Sequence, residues 1–281
     1  MGPFFCIIKK TTGTQSAALF DISVFYRLLQ TGWLGRRFWF SRTLDSTNQH
    51  LHDIPDARLS HGLVCLTDNQ IRGKGQFGRT WITSPGQNLT FTIVLMPESN
   101  SRLQLISLAV MLALKETVGV TLSCESVIKW PNDLLISGKK VAGLLTECRY
   151  NGQNLDRMLL GMGINVNQKT FPAELEKIAT SLRLHSGGQP VDRPLLLAVL
   201  LNRLEPLLEK AETGDIGLIR TINRSIDGYG KWVSLFVDGK RQETPVKILG
   251  VNEFGYLMVL TATDDVKTFT HEQVRIETRS G

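Results

Sequence analysis

The sequence predicts an α+β protein, in which a large sheet-bearing domain with helices precedes a small β-barrel. Three observations carry that expectation. Arg102 to Val118 is apolar on nearly every side, the pattern of a helix packed against a sheet over most of its surface. Gly62 to Thr67, Leu89 to Met96 and Leu159 to Val166 read as short buried strands bounded by turn residues. After Asp227-Gly228-Tyr229-Gly230 the chain breaks into short strands separated by Asp238-Gly239, Asn252 to Gly255 and Asp264-Asp265. That rhythm suits a barrel of about 50 residues.

With 281 residues, 42% of them hydrophobic, there is material for one large core and a small second one. Lys and Arg exceed Asp and Glu by 32 − 26 = 6. The resulting pI near 9.2 favours anionic partners such as nucleotides, acidic proteins or nucleic acid. The excess is modest and spread out, so nucleic acid is not required. Cys6, Cys65, Cys124 and Cys148 form no C-x-x-C pair, which argues against a zinc site or disulfide framework and for free thiols in a reducing compartment. Asn88-Leu89-Thr90 and Asn223-Arg224-Ser225 read as chance glycosylation triplets. No apolar run reaches bilayer length on this reading, Phe4 to Ile8 is too short for a signal-peptide core, and Cys6 stands where myristoylation expects Ser or Thr. The expected location is cytoplasmic, with no membrane partner.

In chain order, residues 1–40 read as an N-terminal extension, with helical spacing from Asp21 to Leu29. Residues 41–226 form the expected main domain and 227–281 the barrel. Ser46-Thr47-Asn48 is placed to cap a short helix through a hydroxyl. Val127 to Lys129 leads through Trp130-Pro131-Asn132-Asp133 to a hairpin turning at Ser137-Gly138. Gly161 and Gly163 interrupt the strand from Leu159 to Val166, where glycine marks a close approach. A helix is expected near Pro172 to Leu184, and another opening at Asp192, with Pro194 just inside, and running to about Thr213.

The chemistry is carried by three segments. Gly73, Gly75 and Gly78 have dinucleotide-fingerprint spacing, but a turn-rich, β-rich segment follows where that motif needs a helix, so a nucleotide-linked oxidoreductase is disfavoured. What remains is a glycine loop carrying Arg72, Lys74 and Arg79, suited to cradling an anion and equally to an ordinary solvated basic turn. In Lys129-Trp130-Pro131-Asn132-Asp133, Pro131 restrains the backbone, and the rigid amide and carboxylate suit magnesium and phosphate or, alternatively, a structural turn. Lys139 and Lys140 point to opposite strand faces, and an inward lysine requires an anion beside it.

Taken in order, Ser46-Thr47-Asn48, the loop ending in Arg79 and Trp81, Lys129-Trp130-Pro131-Asn132-Asp133, Lys140-Val141-Ala142-Gly143 and Gly161 to Asn167 resemble the biotin protein ligase family over about 41–281. The resemblance implies a mixed sheet with helices on one side, similar to class II aminoacyl-tRNA synthetases, plus a C-terminal SH3-like barrel. It implies that Ser46, Thr47, Asn48 and Gln70 contact biotin and that Lys74, Gly75 and Gln76 close over it. It makes Lys140 the residue touching the biotin carboxylate and the α-phosphate. Lys74, Arg79, Trp81, Asn132, Asp133 and Asn165 would serve ATP, with magnesium at Asp133. The implied reaction forms biotinyl-5'-AMP and transfers biotin to a lysine of a biotin carboxyl carrier protein, with Lys140, Arg79 and Asp133 as catalytic groups. The family's loop commonly has arginine where Lys74 and Gln76 stand, so bidentate geometry is lost at both positions. Residues 1–40 lack the helix-turn-helix pattern of repressor relatives, so no operator binding is expected. A homodimer is compatible with the resemblance. A lipoate ligase sharing the adenylate route and a basic nucleic-acid-binding module are the competing readings.

Overall fold

The computed structural model describes residues 19–277. Helix α1 (Ile22–Leu28) is opened by Asp21, whose carboxylate accepts the N–H groups of Ser23 and Val24. Residues 19–40 are no detached extension. Phe20, Phe25, Leu29, Leu34 and Phe38 are buried in the main core, and the Phe25 and Phe38 rings lie 4.7 Å apart. Apolar side chains at helical spacing need a partner face, and α5 (Arg193–Thr213) supplies it, with Glu205 accepting the N–H groups of Gly32, Trp33 and Leu34.

The main sheet is built from β1 (Phe38–Leu44), β2 (Val64–Gln70), β3 (Leu89–Leu95), β4 (Val127–Lys129), β5 (Asp133–Ile136), β6 (Lys139–Asn151) and β7 (Asn154–Ile164), in the order β1-β2-β3-β7-β6-β5-β4. β1 and β2 pair in parallel and the other neighbours are antiparallel, so the sheet is mixed. Side chains alternate between faces. Leu89, Phe91, Ile93 and Leu95 of β3 and Met158, Leu160, Met162 and Ile164 of β7 enter the helix-covered core. The opposite face presents small groups in register: Thr90 with Gly163, Thr92 with Gly161, and Gly143 with Gly163. That difference leaves a depression on one side of the sheet and a packed core on the other.

The core face is covered by α3 (Leu103–Leu122) and α5. Contrary to the sequence expectation, α3 is long and apolar enough to cross a membrane, with mean hydropathy 1.8 over its most apolar window, but 67% of that window is buried inside the protein. It is a core helix. Asp192 caps α5 by accepting the Leu195 N–H, as expected. α2 (Thr47–His52) forms where expected, yet Ser46 makes no side-chain cap; the Gln70 amide oxygen at the end of β2 takes the Thr47 N–H instead, at 2.8 Å. The helix expected from Pro172 to Leu184 shrinks to α4 (Leu182–His185). There Ala179 bridges Lys140 of β6, with Lys140 N–H bonded to Ile178 O and Thr180 N–H to Lys140 O, and edge pairing outweighs helix propensity. α6 (Ile216–Ser225), capped by Asp215, was absent from the sequence reading.

The C-terminal strands β8 (Trp232–Val237), β9 (Lys240–Arg241), β10 (Val246–Val251), β11 (Leu257–Leu260), β12 (Val266–Phe269) and β13 (Val274–Glu277) form an antiparallel sheet ordered β12-β11-β10-β8-β13, with β9 on β8. It curls into the half-barrel of an SH3-like domain. Its core is continuous with the main one through Val233, Leu235 and Ile248, and Trp130 Nε1 donates to Gly255 O across the junction at 3.3 Å.

Candidate active site

The depression in the sheet opens into a cavity of about 690 Å³. Its floor is the glycine pair of β7 with Gly143 of β6. A Cβ at Gly163 would collide with the indole of Trp81, and one at Gly161 with the amide of Asn48. The strand glycines thus mark close approaches, by two side chains from other segments. Trp81 lies flat on the floor with Lys140 Nζ 5.5 Å from its ring centroid, a cation–π distance.

At one end, Ser46, Thr47, Asn48 and Gln70 form a polar wall. Gln70 Oε1 holds the Thr47 backbone, and Thr92 Oγ1 lies 2.7 Å from Thr47 Oγ1 and 2.6 Å from Asn48 Oδ1. At the other end stand Asn132, Asp133, Lys140 and Asn165. Asn132 ties its turn to β6 by donating to Leu144 O at 2.7 Å, while Asn165 donates to Thr180 O at 3.1 Å and so fixes the segment before α4. Lys140 Nζ is 2.6 Å from Asp133 Oδ1, although the approach angle misses hydrogen-bond geometry. Lys139 turns the other way and bonds Glu176 O. The inward lysine therefore has the anionic neighbour that its position demands.

Lys74, Gly75, Gln76, Phe77 and Arg79 roof the cavity. Phe77 adopts a left-handed backbone (φ 55°), and its ring lies 4.9 Å from the Arg275 guanidinium of β13. The residues that the resemblance marks for biotin and ATP all line this one cavity, whereas Arg72, Gly73, Gly78 and Lys139 do not. The sequence reading missed two further groups on its rim: Phe171, Leu175, Ile178 and Ala179, and His271, Val274, Arg275 and Ile276 from the C-terminal domain. The apolar spacing of the first group was legible but was spent on a helix; the second carries no local signal.

Trp81 Nε1 is buried with no hydrogen-bond partner, and Asp133 Oδ1 has none beyond its ion pair with the Lys140 ammonium. Leaving the indole N–H unpaired costs about 1–3 kcal/mol, a cost that a bound acceptor would offset. Among the described residues no three of His, Cys, Asp and Glu cluster to hold a metal by themselves.

Residues 39–165 match the biotin/lipoate A/B protein ligase family. Over that stretch the chain is similar to a biotin/lipoate A/B protein ligase domain. The chain is 33% identical over 172 residues to the bifunctional ligase/repressor BirA of Bacillus subtilis, covering 59% of this chain and 51% of that protein. It is 34% identical over 125 residues to the biotin–[acetyl-CoA-carboxylase] ligase of Paracoccus denitrificans, covering 43% of this chain and 51% of the relative. The chain therefore spans about half the length of the curated relatives it matches. In three dimensions it resembles the biotin protein ligase of Aquifex aeolicus in complex with biotin and ATP, with a TM-score of 0.75 and 27% identity over 86% of this chain and 100% of that one. The matched segment thus supplies the sheet, the cavity floor and both polar ends, while the last strand of the SH3-like unit completes the rim.

Proposed function

We propose that this protein is a biotin protein ligase, which joins biotin to ATP as biotinyl-5'-AMP and passes biotin to a lysine of a biotin carboxyl carrier protein. The observation that carries the reading is the half-buried Lys140 ammonium, set between the Asp133 carboxylate and the Trp81 ring in a cavity whose far end is the polar wall of Ser46, Thr47, Asn48 and Gln70. A small amphipathic acid spanning that distance would put its carboxylate at Lys140.

Biotin's carboxylate is ionised near neutral pH and attacks the α-phosphorus without a general base, so the residues need only position it and neutralise charge. Lys140 and Arg79 face the oxygens that gain charge as pyrophosphate leaves. Trp81 and Asn165 fit the nucleotide, Trp81 by the flat face of its half-buried ring. The Asp133 carboxylate, paired on Oδ1 with Lys140 and with Asn132 next to it in the turn, would hold a magnesium ion that takes its remaining ligands from phosphate and water, as this ion usually does. Bound there, magnesium would neutralise phosphate charge. The glycine-loop roof would keep water from the mixed anhydride until the acceptor lysine, its ammonium proton passed to Asp133, attacks the acyl carbon as the free amine and releases AMP.

Incubation with biotin, ATP, magnesium and a biotin carboxyl carrier domain, followed by mass measurement, is expected to show a biotin-sized gain on one lysine of the acceptor. No gain with biotin, or an equal gain when lipoate replaces biotin, would refute the assignment.

A further inference from the structure

The Asn48 amide is restrained on three sides. Its Nδ2 donates to Glu147 Oε2 at 2.6 Å, and its Oδ1 lies 2.6 Å from the Thr92 hydroxyl. An amide oxygen only accepts, so the Thr92 proton is committed to it. The plane of the amide rests on Gly161, where any Cβ would strike Oδ1, Cγ and Nδ2 together. Glu147 belongs to β6, on the same face as Gly143 and Leu145, but it does not line the cavity; it stands behind Asn48, which does. His52 Nε2 approaches the same Glu147 oxygen at 3.6 Å.

An asparagine amide turned over by 180° keeps its shape and exchanges donor for acceptor. An ionised carboxylate admits one of the two orientations, because the flipped amide would bring oxygen against oxygen. Glu147 selects the orientation, and the Thr92 hydroxyl, which can donate or accept, follows it by donating to Asn48 Oδ1. The lone pair and N–H of Asn48 not used by these partners are the groups left to meet a ligand at this wall. A ureido ring carries both donors and an acceptor, so its affinity depends on which end of the amide it meets.

We propose that Glu147 is a positioning residue that fixes the orientation of the Asn48 amide and thereby sets the affinity for biotin without touching it. The inference rests on the ligase reading above. In its absence the two amide orientations become comparable, and a ligand must select one of them.

The test is biotin-dependent ATP–pyrophosphate exchange, titrated separately in biotin and ATP, together with calorimetric biotin binding. Glu147→Ala is expected to raise the KM and Kd for biotin about tenfold, the factor that accompanies one lost oriented hydrogen bond. The KM for ATP and the rate at saturating biotin should stay near those of the unsubstituted protein. Glu147→Gln keeps the size and shape but presents an amide that pairs with either orientation of Asn48, so it should keep most of the loss in biotin affinity while unfolding like the unsubstituted protein, a result that a merely structural role does not produce. If Glu147→Ala fails to fold, isosteric Thr92→Val removes the other anchor and should raise the biotin KM severalfold. An unchanged biotin KM in the folded variant, or a loss confined to the saturated rate, overturns the proposal. Absence of biotin-dependent exchange by the unsubstituted protein overturns the ligase reading and the proposal with it.

Discussion

The floor and the roof of the cavity are built on opposite principles. The floor strands β3, β6 and β7 are hydrogen-bonded on both sides, and their glycines and threonines leave just enough room for the Asn48 amide and the Trp81 indole. The roof, residues 73–79, is closed by a few local bonds: Gly75 N–H to Arg79 O, Trp81 N–H to Gly73 O, and Lys74 Nζ to Gln49 Oε1. Phe77 at its tip is 64% exposed and holds a left-handed backbone that favours glycine. Segments with few buried contacts open at low free-energy cost, whereas a doubly bonded strand opens only with the core. The floor thus fixes where charge and shape meet the ligand, and the roof can rearrange around it.

If that division holds, the heaviest losses come from the floor. Lys140→Ala should lower the rate of biotinyl-AMP formation about 10²- to 10³-fold, the range expected on removing one preorganised charge-stabilising group. Thermal unfolding should move little, since Lys140 is half-exposed and its backbone pairing persists. Near-normal pyrophosphate release by this variant would remove Lys140 from the chemistry.

Gly163→Ala tests the same surface by shape. The new methyl group occupies the space of the Trp81 indole, which has to leave its seat on β7. We expect the KM for ATP to rise roughly tenfold, with about 1–3 kcal/mol of stability lost to overpacking. Should ATP affinity and unfolding temperature both match the parent, the floor is more compliant than its strand pairing implies.

How much of this was legible in the sequence depends on how far apart the interacting residues lie. Lys129 to Asp133 and Lys140 to Gly143 are short segments whose turn and strand character is local, so the hairpin could be read directly, and so could the fact that one of Lys139 and Lys140 points inward; the choice of Lys140 came from the resemblance. The stretch Pro172 to Ala179 is rich in helix formers, yet a parallel bridge to Lys140 holds its end extended, and no local signal announces that partner. α6 has clear helical spacing and an aspartate cap, but it lies between the helix expected to end near Thr213 and the expected boundary at 226/227, a stretch to which the sequence reading assigned no element. Glu147 sits 99 residues from Asn48, so alternation along β6 gives its face and says nothing of its partner. The contributions of His271 and Arg275 arise only from the docking of one domain on the other.

That docking supplies the smallest expected effect, in the contact between Phe77 and Arg275. Both side chains are exposed, so a cation–π pair at 4.9 Å is worth no more than about 0.5–1 kcal/mol, a factor of roughly two to five in an equilibrium. Arg275→Ala should therefore leave adenylation nearly intact and speed the loss of biotinyl-AMP from the enzyme about two- to fivefold, measured by trapping the released intermediate. Phe77→Gly removes the same ring while relieving the left-handed backbone, so the two substitutions act on the contact in common and on strain separately. In a double-mutant cycle, Arg275→Ala made on the Phe77→Gly background should add no further loss. Full additivity would mean that the C-terminal strand steadies the roof by some route other than this ring, and the roof would then owe its position to the rim residues beside it.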